Sequence, residues 1–303
     1  MSSKYQSAKF IFVVGPTASG KSKWAHEMAL KYGGSIINID SVQFYEELIV
    51  GSAAPTDEEK KSVKHFLYSY VKAPEEMTAG KYIRDFYELL ESNRVDEKKP
   101  VFIVGGTGFY IQALEKGMFD IEPIPDSFRL QIEGELSESG AEKLHRELLS
   151  KDPESKIHVN DHYRLVRALE IIRYFGVTPT QLQQQTEKNK NKFQFPFIKL
   201  GFDRPQTDMK KAVMERTEKM ISDGIIDEVR SFLERGFENW SPLSSVGYKE
   251  TVQYLIQHQN KEQLSLEIQQ STMKLIKKQR TWFKRDAAIL WSNQEQALSQ
   301  FLS

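Results

Sequence analysis

Short apolar runs alternate with amphipathic stretches through the first 119 residues of the chain. The runs lie at residues 10–14, 35–40 and 100–104. Each run is too short for a core helix and has turn-forming residues beside it, which predicts buried strands. Between the runs, residues 22–32 and 78–92 show the spacing of helices. Because strands that alternate with helices form parallel sheets covered by helices, we predict an α/β fold and assign residues 1–119 to the first part of its core.

The pattern changes at residue 120. Pro123 and Pro125 interrupt regular structure, and residues 126–185 then carry helical periodicity without a convincing strand. Within this stretch the clearest helices are expected at 133–149 and 163–175. An apolar run at 197–202 predicts a return to the sheet, and the chain is helical again from residue 209. We therefore predict an all-helical insertion domain at 120–196, then the second part of the core with a helical C-terminal region at 197–303.

The segment after the first predicted strand matches the Walker A pattern, G-x-x-x-x-G-K-[ST], and leads into a predicted helix. Its residues are Gly15, Pro16, Thr17, Ala18, Ser19, Gly20, Lys21 and Ser22. The backbone N–H groups of such a P-loop, with the positive end of the next helix, bind phosphate groups. Lys21 adds a positive charge, and the Ser22 hydroxyl is placed to bind Mg²⁺. The motif predicts a P-loop NTPase-like core that binds ATP or another di- or triphosphate, without distinguishing among them.

A carboxylate and a second glycine-rich turn are expected beside the P-loop. Asp40 ends the second predicted strand, and Gly-Gly-Thr-Gly at 105–108 follows the third. Ligands of parallel sheets bind beyond the carboxyl ends of the strands. Asp40 is therefore a candidate general base or magnesium-linked acid, and the alternative for the same position is an N-cap or turn residue. The glycine-rich turn is either a second wall of the pocket or an ordinary tight turn.

Composition and charge narrow the class of protein. The 303 residues include no cysteine, 39% hydrophobic residues and equal numbers of acidic and basic residues. This composition excludes disulfides and thiolate zinc sites and is ordinary for a soluble protein. No apolar run approaches the roughly 20 residues that span a membrane, and the N-terminal residues lack the features of a signal peptide. We therefore expect a cytoplasmic protein without membrane contact.

The last long helix, predicted from Leu264 to about Ala288, carries a local excess of positive charge. From residue 274 to residue 285 there are six cations and no acid. In helical projection the cations share one broad face, opposite Leu275, Ile276, Trp282 and Phe283. A basic face on a folded helix is typical of contact with a nucleic-acid backbone, and the alternative is a solvated surface. The cations are Lys274, Lys277, Lys278, Arg280, Lys284 and Arg285.

Taken together, the motifs resemble those of the tRNA dimethylallyltransferase family, in its bacterial form. The matching stretches occur in family order over nearly the whole chain and are specific as a set. They are the P-loop at 15–22, DSVQFY at 40–45, PVFIVGGTGFY at 100–110, YRLVRALE at 163–170, MISDGIIDEV at 220–229, VGYKE at 246–250 and KKQRTWF at 277–283.

The resemblance implies a reaction and a role for several residues. The family moves the dimethylallyl group of dimethylallyl diphosphate to N6 of adenine 37, beside the anticodon of tRNA. By resemblance, Asp40 is the general base, Thr17 contacts the diphosphate and Arg216 stabilises the leaving group. The P-loop would then hold a diphosphate with Mg²⁺ at Ser22.

The resemblance also implies an RNA-binding set. Most of its members lie in the stretches that match the family, and the others are single positions that resemble it. They are Asp40, Ser41, Val42, Gln43, Thr107, Arg129, Arg164, Arg167, Gly247, Tyr248, Lys249, Lys277, Lys278, Arg280 and Lys284. The chain departs from the family at 46–55, where an arginine and the lysine of a G-T-A-K-P segment are replaced by Glu46 and Ala54. The expected partners are the anticodon stem-loop of tRNA and dimethylallyl diphosphate, and no protein partner is indicated.

Two other functions remain compatible with the motifs taken singly. A P-loop followed by a strand-end aspartate also suits a small-molecule kinase. A P-loop protein that binds nucleic acid without catalysis would explain the basic helix. A kinase would turn over ATP, whereas the transferase would consume dimethylallyl diphosphate and add one C5H8 unit to RNA.

Overall fold

The structure is a computed structural model of the 303-residue chain, and it describes residues 8–118, 124–188, 193–258 and 260–303. The chain forms two compact units. The first comprises Met1–Gln112 and Gln194–Ser303, and the second comprises Ala113–Phe193. The predicted boundary at 119–120 lies outside the described residues. The proline-containing segment that begins at residue 120 lies partly outside them.

The first unit contains a six-stranded parallel sheet with the strand order β3-β2-β4-β1-β5-β6. The strands are β1 (Phe10–Val14), β2 (Ser35–Asn38), β3 (Lys64–Phe66), β4 (Val101–Gly105), β5 (Phe197–Gly201) and β6 (Ile289–Leu290). Every residue of β1 and of β4 is buried, as expected for parallel strands covered on both faces. The predicted α/β fold with a parallel sheet is therefore confirmed.

Strand β1 lies between β4 and β5 and fixes the position of the P-loop. Val14, its last residue, is in register with Gly105 of β4 and with Gly201 of β5. The segments that leave these three strands therefore emerge side by side at the carboxyl edge of the sheet. This edge is where parallel α/β proteins bind ligands.

Helices cover both faces of the sheet. On one face, Ala25 and Met28 of the helix after the P-loop pack on Ile11 and Val13; on the other, the Phe86 ring packs against Phe10 in a tilted arrangement. The helices that lie in or begin in this unit are α1 (Lys21–Tyr32), α2 (Asp57–Ser62), α3 (Ala79–Glu91), α4 (Gly108–Lys116), α9 (Gln206–Ser222), α10 (Ile225–Glu234), α11 (Tyr248–Gln257), α12 (Lys261–Phe283) and α13 (Gln294–Leu302).

Local sequence signals set the ends of several helices. Gly33 adopts a left-handed conformation (φ 65°) and its N–H reaches back to Ala29 and Leu30, which ends α1. Thr56 and Glu59 form a capping box that starts α2, and the Asn260 side chain accepts the N–H of Gln263 at the start of α12. No helix in the described part of the chain is both long and apolar enough to cross a membrane.

The second unit is helical in its described residues. It contains α5 (Asp126–Ser139), α6 (Ala141–Lys151), α7 (His162–Phe175) and α8 (Pro179–Lys188), around a core that includes Ile132, Leu148 and Leu169. The Arg173 guanidinium joins three helices because it bonds Glu135 of α5 at 2.9 Å and Glu147 of α6 at 2.6 Å.

Three details differ from the sequence expectations. The single helix predicted at 133–149 is two helices, because Gly140, with φ 79° and ψ 160°, leaves the helical region between them. The last long helix was predicted to reach about Ala288 but ends at Phe283, and the chain then forms β6. Strands β3 and β6 were not predicted, since they have three and two residues and no continuous apolar run.

Candidate active site

Four chain segments approach each other very closely at the carboxyl edge of the sheet. A side chain on Gly15 would lie 2.1 Å from the carbonyl oxygen of Phe202, and one on Gly106 would lie 3.2 Å from the carbonyl oxygen of Gly15. One on Gly105 would lie 2.6 Å from the backbone of Ile39. Only glycine fits such approaches. They bring together the P-loop, the residue before Asp40, the turn after β4 and the residue after β5.

The P-loop is shaped to leave donors free at the start of α1. Gly20 has φ 92° and precedes the first helical residue. A side chain at Gly20 would also clash with the Arg204 guanidinium. Among the described residues, the N–H groups of Gly20, Lys21 and Ser22 have no hydrogen-bond partner, as expected in a first helical turn. The Ser19 hydroxyl is buried and also lacks a partner there. These donors can receive an anion.

Lys21 and Arg216 are both desolvated at this edge. The Lys21 side chain is 8% exposed, and its ammonium donates to the carbonyl oxygen of Pro16 at 3.2 Å. The pKa of Lys21 is lowered to about 8, chiefly by burial; the Asp40 carboxylate acts in the opposite direction, and the Arg216 charge contributes to the lowering. Burial likewise lowers the pKa of Arg216, while Asp40 and Tyr248 raise it. The structure therefore brings the predicted residues Lys21, Asp40 and Arg216 close enough to affect one another electrostatically.

Asp40 and its neighbours are held by hydrogen bonds at the end of β2. The Asp40 N–H donates to Asn38 Oδ1 at 2.8 Å, and the Val42 N–H donates to Asp40 Oδ1 at 3.2 Å. The Ser41 N–H donates to the Thr107 hydroxyl at 3.1 Å. Asp40 therefore does form a turn with Val42, as the structural alternative predicted, and it does so beside the P-loop. Ser41 and Thr107, predicted as RNA contacts, lie next to each other.

The segment that departs from the family is anchored by a carboxylate that sequence reasoning missed. Glu228 of α10 accepts the N–H groups of Ile49 and Val50 at 3.0 and 2.9 Å and the Tyr248 hydroxyl at 2.7 Å. The buried Tyr248 ring leaves no space for a side chain on Gly51. Burial and the Glu228 carboxylate raise the pKa of Tyr248. A charge-assisted contact thus holds the loop that lacks the family's two cations.

Three other residues predicted to contact RNA are Gln43, Gly247 and Lys249. The Gln43 side chain donates to the carbonyl oxygens of Ser52 and Ala53 at 3.1 and 3.0 Å, so it joins the DSVQ turn to the same loop. Gly247 adopts φ 96° before α11, and its N–H donates to Glu250 at 2.7 Å. Lys249 is exposed.

The cations of α12 are not equivalent. Lys277, Lys278 and Lys284 are exposed, whereas the Arg280 guanidinium forms a bidentate ion pair with Asp203, at 2.7 to 3.0 Å. Ile276 and Phe283 are buried, but Trp282, placed by projection on the apolar side, is 36% exposed. The three lysines of the predicted basic face are therefore open to solvent, whereas Arg280 is paired with Asp203.

The RNA-binding residues predicted in the helical unit are all paired with acids of their own helix or its cap. Arg129 bonds Glu133 at 2.9 Å, Arg164 lies 3.3 Å from Asp161, and Arg167 lies 3.0 Å from Glu170. The Arg129 guanidinium also lies over the Tyr163 ring, and Tyr163 is 69% exposed. An exposed aromatic ring beside arginines is an arrangement that can stack on nucleic-acid bases.

In the part of the chain that the structure describes, protein side chains alone do not form a metal site. Within residues 8–118, 124–188, 193–258 and 260–303, no group of three or more His, Asp or Glu side chains is placed to hold a metal ion. Magnesium commonly needs only one or two protein ligands, since phosphate oxygens and water complete its shell. Ser22 is exposed at the first turn of α1, next to free N–H donors. Its hydroxyl therefore fits a magnesium ion that arrives with a phosphate ligand.

These features define a P-loop-like α/β protein with an inserted helical unit. They are the parallel sheet, the close approaches at the strand ends that require glycine, and the desolvated cations. The IPP transferase family model matches residues 43–286. The chain is 48% identical to a protein named tRNA dimethylallyltransferase from Bdellovibrio bacteriovorus, over 93% of this chain and 92% of that protein. The chain therefore belongs to the IPP transferase family, and it is a transferase.

Solved structures agree with this assignment. The crystal structure of the full-length tRNA isopentenylpyrophosphate transferase from Bacillus halodurans is 26% identical, with a TM-score of 0.67 over 97% of this chain and 94% of that one. A crystal structure of a eukaryotic dimethylallyltransferase acting on tRNA is 23% identical, with a TM-score of 0.74 over 91% of this chain and 70% of that one. The second likeness concerns the fold alone.

Proposed function

We propose that this transferase moves the dimethylallyl group of dimethylallyl diphosphate to N6 of adenine 37, next to the anticodon of tRNA. The observation that carries the proposal is the meeting of Lys21, Arg216 and Asp40 beside the free N–H groups of the P-loop. This arrangement offers positive charge for a diphosphate and a carboxylate for a proton. The relatives named tRNA dimethylallyltransferase supply the reaction class. We place the reaction in the cytoplasm, where tRNA is found.

The P-loop would bind the diphosphate leaving group. When the bond between the allylic carbon and the diphosphate oxygen breaks, negative charge develops on the diphosphate. Lys21, Arg216 and the N–H groups of Gly20 and Lys21 are fixed before the reaction and would stabilise that charge. The Thr17 hydroxyl would add a hydrogen bond. Ser22 would hold Mg²⁺, whose charge assists departure of the diphosphate when the ion is bound.

Asp40 would act as the general base. The N6 lone pair of adenine is delocalised into the ring, so the amine loses a proton as its bond to the allylic carbon forms. Asp40 would take that proton, and the diphosphate would carry away the electron pair of the broken C–O bond. The hydrogen bonds of Asp40 with Asn38 and Val42 fix its position for this role.

The adenine must leave the anticodon stack to reach these groups. Residues of the first unit beside Asp40 would receive the extruded base and its neighbours, and the exposed lysines of α12 would bind phosphates of the RNA backbone. In the helical unit, Arg129, Arg164 and Arg167 would provide further phosphate contacts. The proposed contacts of the first unit are Ser41, Val42, Gln43, Thr107, Lys249, Lys277, Lys278 and Lys284, whereas Gly247 and Tyr248 are buried and are no longer proposed to touch RNA.

The test is to incubate the protein with an unmodified anticodon stem-loop RNA, Mg²⁺ and dimethylallyl diphosphate. Mass spectrometry should show one added C5H8 unit on adenine 37. Replacement of Asp40 by Asn should lower the transfer rate by on the order of 10²–10⁴ and leave diphosphate binding largely intact. Asp57→Asn, at an exposed position of α2, is the matched control.

Two results would contradict the proposal. Turnover of ATP without RNA prenylation would indicate a kinase. Binding of RNA without consumption of dimethylallyl diphosphate would indicate a non-catalytic RNA-binding protein. A wild-type rate in Asp40→Asn would remove Asp40 as the base and leave the reaction itself standing.

A further inference from the structure

Two consecutive residues near the end of α12 reach two sides of the P-loop. On one side, the Gln279 side-chain oxygen accepts the N–H of Thr17 at 2.9 Å, and its NH₂ group donates to the carbonyl oxygen of Gly106 at 2.9 Å. One side-chain amide thereby joins the P-loop to the glycine-rich turn after β4. Both hydrogen bonds are partly buried.

On the other side, Arg280 acts through the segment after β5. Its guanidinium pairs with the Asp203 carboxylate and donates to the carbonyl oxygen of Arg204 at 2.7 Å. The Arg204 guanidinium in turn donates to the carbonyl oxygen of Ser19 at 3.1 Å. Arg280 thus holds the residue that contacts the second half of the P-loop.

These contacts affect which donors of the loop face a ligand. Gln279 occupies the Thr17 N–H, whereas the N–H groups of Gly20, Lys21 and Ser22 have no partner among the described residues. The Gln279 amide also lies where a side chain on Gly106 would be, at 2.6 Å. The distance between the two glycine-rich segments therefore depends on this amide. If the Gln279 amide were lost, the partly buried Thr17 N–H and Gly106 carbonyl oxygen would be left without a hydrogen-bond partner. The loop would then have to rearrange.

We propose that Gln279 and Arg280 are positioning residues for the diphosphate site and serve donor binding, not RNA binding. They fix the P-loop from two sides through Thr17, Gly106 and Ser19. The inference rests on the proposed function, because the P-loop must bind a diphosphate for its shape to matter. It separates Arg280 from Lys277 and Lys278, although all three belong to one basic stretch.

Inorganic pyrophosphate with Mg²⁺ is the probe, and its affinity is measured by isothermal titration calorimetry on the full chain. Gln279→Met and Arg280→Met should each weaken pyrophosphate binding by roughly tenfold, the scale expected when a few hydrogen bonds that hold the loop are lost. Gln270→Met is the matched control, since Gln270 is exposed on the same helix, and it should bind like the wild type. Arg280→Lys keeps the charge but loses the bidentate geometry, so it should also bind more weakly.

An RNA measurement separates the two roles. The affinity of the anticodon stem-loop is measured against salt concentration for Arg280→Met and for Lys277→Met. Lys277→Met should flatten the slope of log K against log salt by roughly one unit and leave pyrophosphate binding unchanged. Arg280→Met should show the reverse. A merely structural role of Arg280 would lower the melting temperature without this contrast.

Wild-type pyrophosphate affinity in folded Gln279→Met and Arg280→Lys would overturn the inference, and so would an Arg280→Met protein whose only change is a flatter RNA salt slope. In both cases the wild-type protein would still bind pyrophosphate and transfer the prenyl group, so the proposed function would stand. A wild-type protein that binds no pyrophosphate would instead overturn the diphosphate assignment and this inference together.

Discussion

The carboxyl edge of the sheet and the helical unit both carry cations, and they differ in how those cations are balanced. At the sheet edge, burial lowers the pKa of Lys21 and of Arg216, and the Asp40 carboxylate opposes this effect in both. In the helical unit, Arg129 and Arg164 are exposed and each has an acid of its own. There, the hydrogen bond with Glu133 raises the pKa of Arg129.

This difference predicts two kinds of anion binding. A desolvated cation with little compensation is unfavourable in the free protein, so an arriving anion relieves an existing penalty. A surface cation that already has a partner exchanges one anion for another and gains little. The sheet edge is therefore suited to bind and activate a small, highly charged ligand, whereas the helical unit is suited to adjustable contacts with a large one.

The largest expected effect comes from removing a desolvated cation. Arg216→Met should lower the single-turnover rate of transfer by roughly 10²–10³, the scale for loss of one group that stabilises transition-state charge, and should change RNA affinity much less. Lys219→Met, on the exposed side of the same helix, is the control and should react normally. If Arg216→Met lost only RNA affinity, Arg216 would belong with the cations of the helical unit.

A smaller effect should follow from pH. Lys21, with its pKa lowered to about 8 by burial, is protonated in the free protein below that pH and loses its proton above it. Diphosphate binding favours the charged form, so above pH 8 binding must also take up a proton, and affinity should fall by up to about tenfold per pH unit. Lys21→Met should bind pyrophosphate more weakly at pH 7.

The contrast between the two pH profiles is the measurement. Because Lys21→Met cannot take up this proton, its affinity should change with pH only as far as the ionisation of pyrophosphate itself requires. Titration calorimetry of both proteins from pH 7 to pH 9.5 provides the comparison. Parallel profiles would mean that Lys21 does not titrate in this range.

The smallest effect should be seen in the salt dependence of RNA binding. Replacing Lys277, Lys278 and Lys284 with Gln should flatten the slope of log K against log salt by roughly one unit per residue. Replacing Arg129, Arg164 and Arg167 with Gln should flatten the slope less. When one of these arginines binds phosphate, it leaves its acid partner unpaired, and that acid takes up a cation from solution. The net number of cations released is therefore smaller. Equal changes would show that the ion pairs of the helical unit do not matter for RNA binding.

The parts of the molecule that sequence predicted are those with a local signal. The strand at 10–14 is apolar throughout and is buried throughout, and the P-loop and Asp40 follow strands that could be recognised. Strand β3, with the sequence Lys-His-Phe, has no such signal. It is a strand because β2 lies beside it, which is a tertiary effect.

The rest of the site depends on contacts between distant residues. Thr17 and Gln279 are separated by 262 positions, and Glu228 is separated from Ile49 by 179. A glutamine in a helix and a glutamate in a helix have many ordinary uses, so neither residue identifies its partner. The sequence therefore predicted the groups proposed to carry out the chemistry but not the groups that hold them in place.

The central position of β1 has a consequence for the order of assembly. Its partners begin at Val101 and Phe197, and the helix that completes its loop begins at Lys261. All of these pairings are distant in sequence, and pairings of that kind form slowly because long loops must close first. A growing chain therefore exposes its most apolar strand long before the last neighbour has been made. Until then the polypeptide has an unpaired, aggregation-prone edge of the kind that chaperones protect.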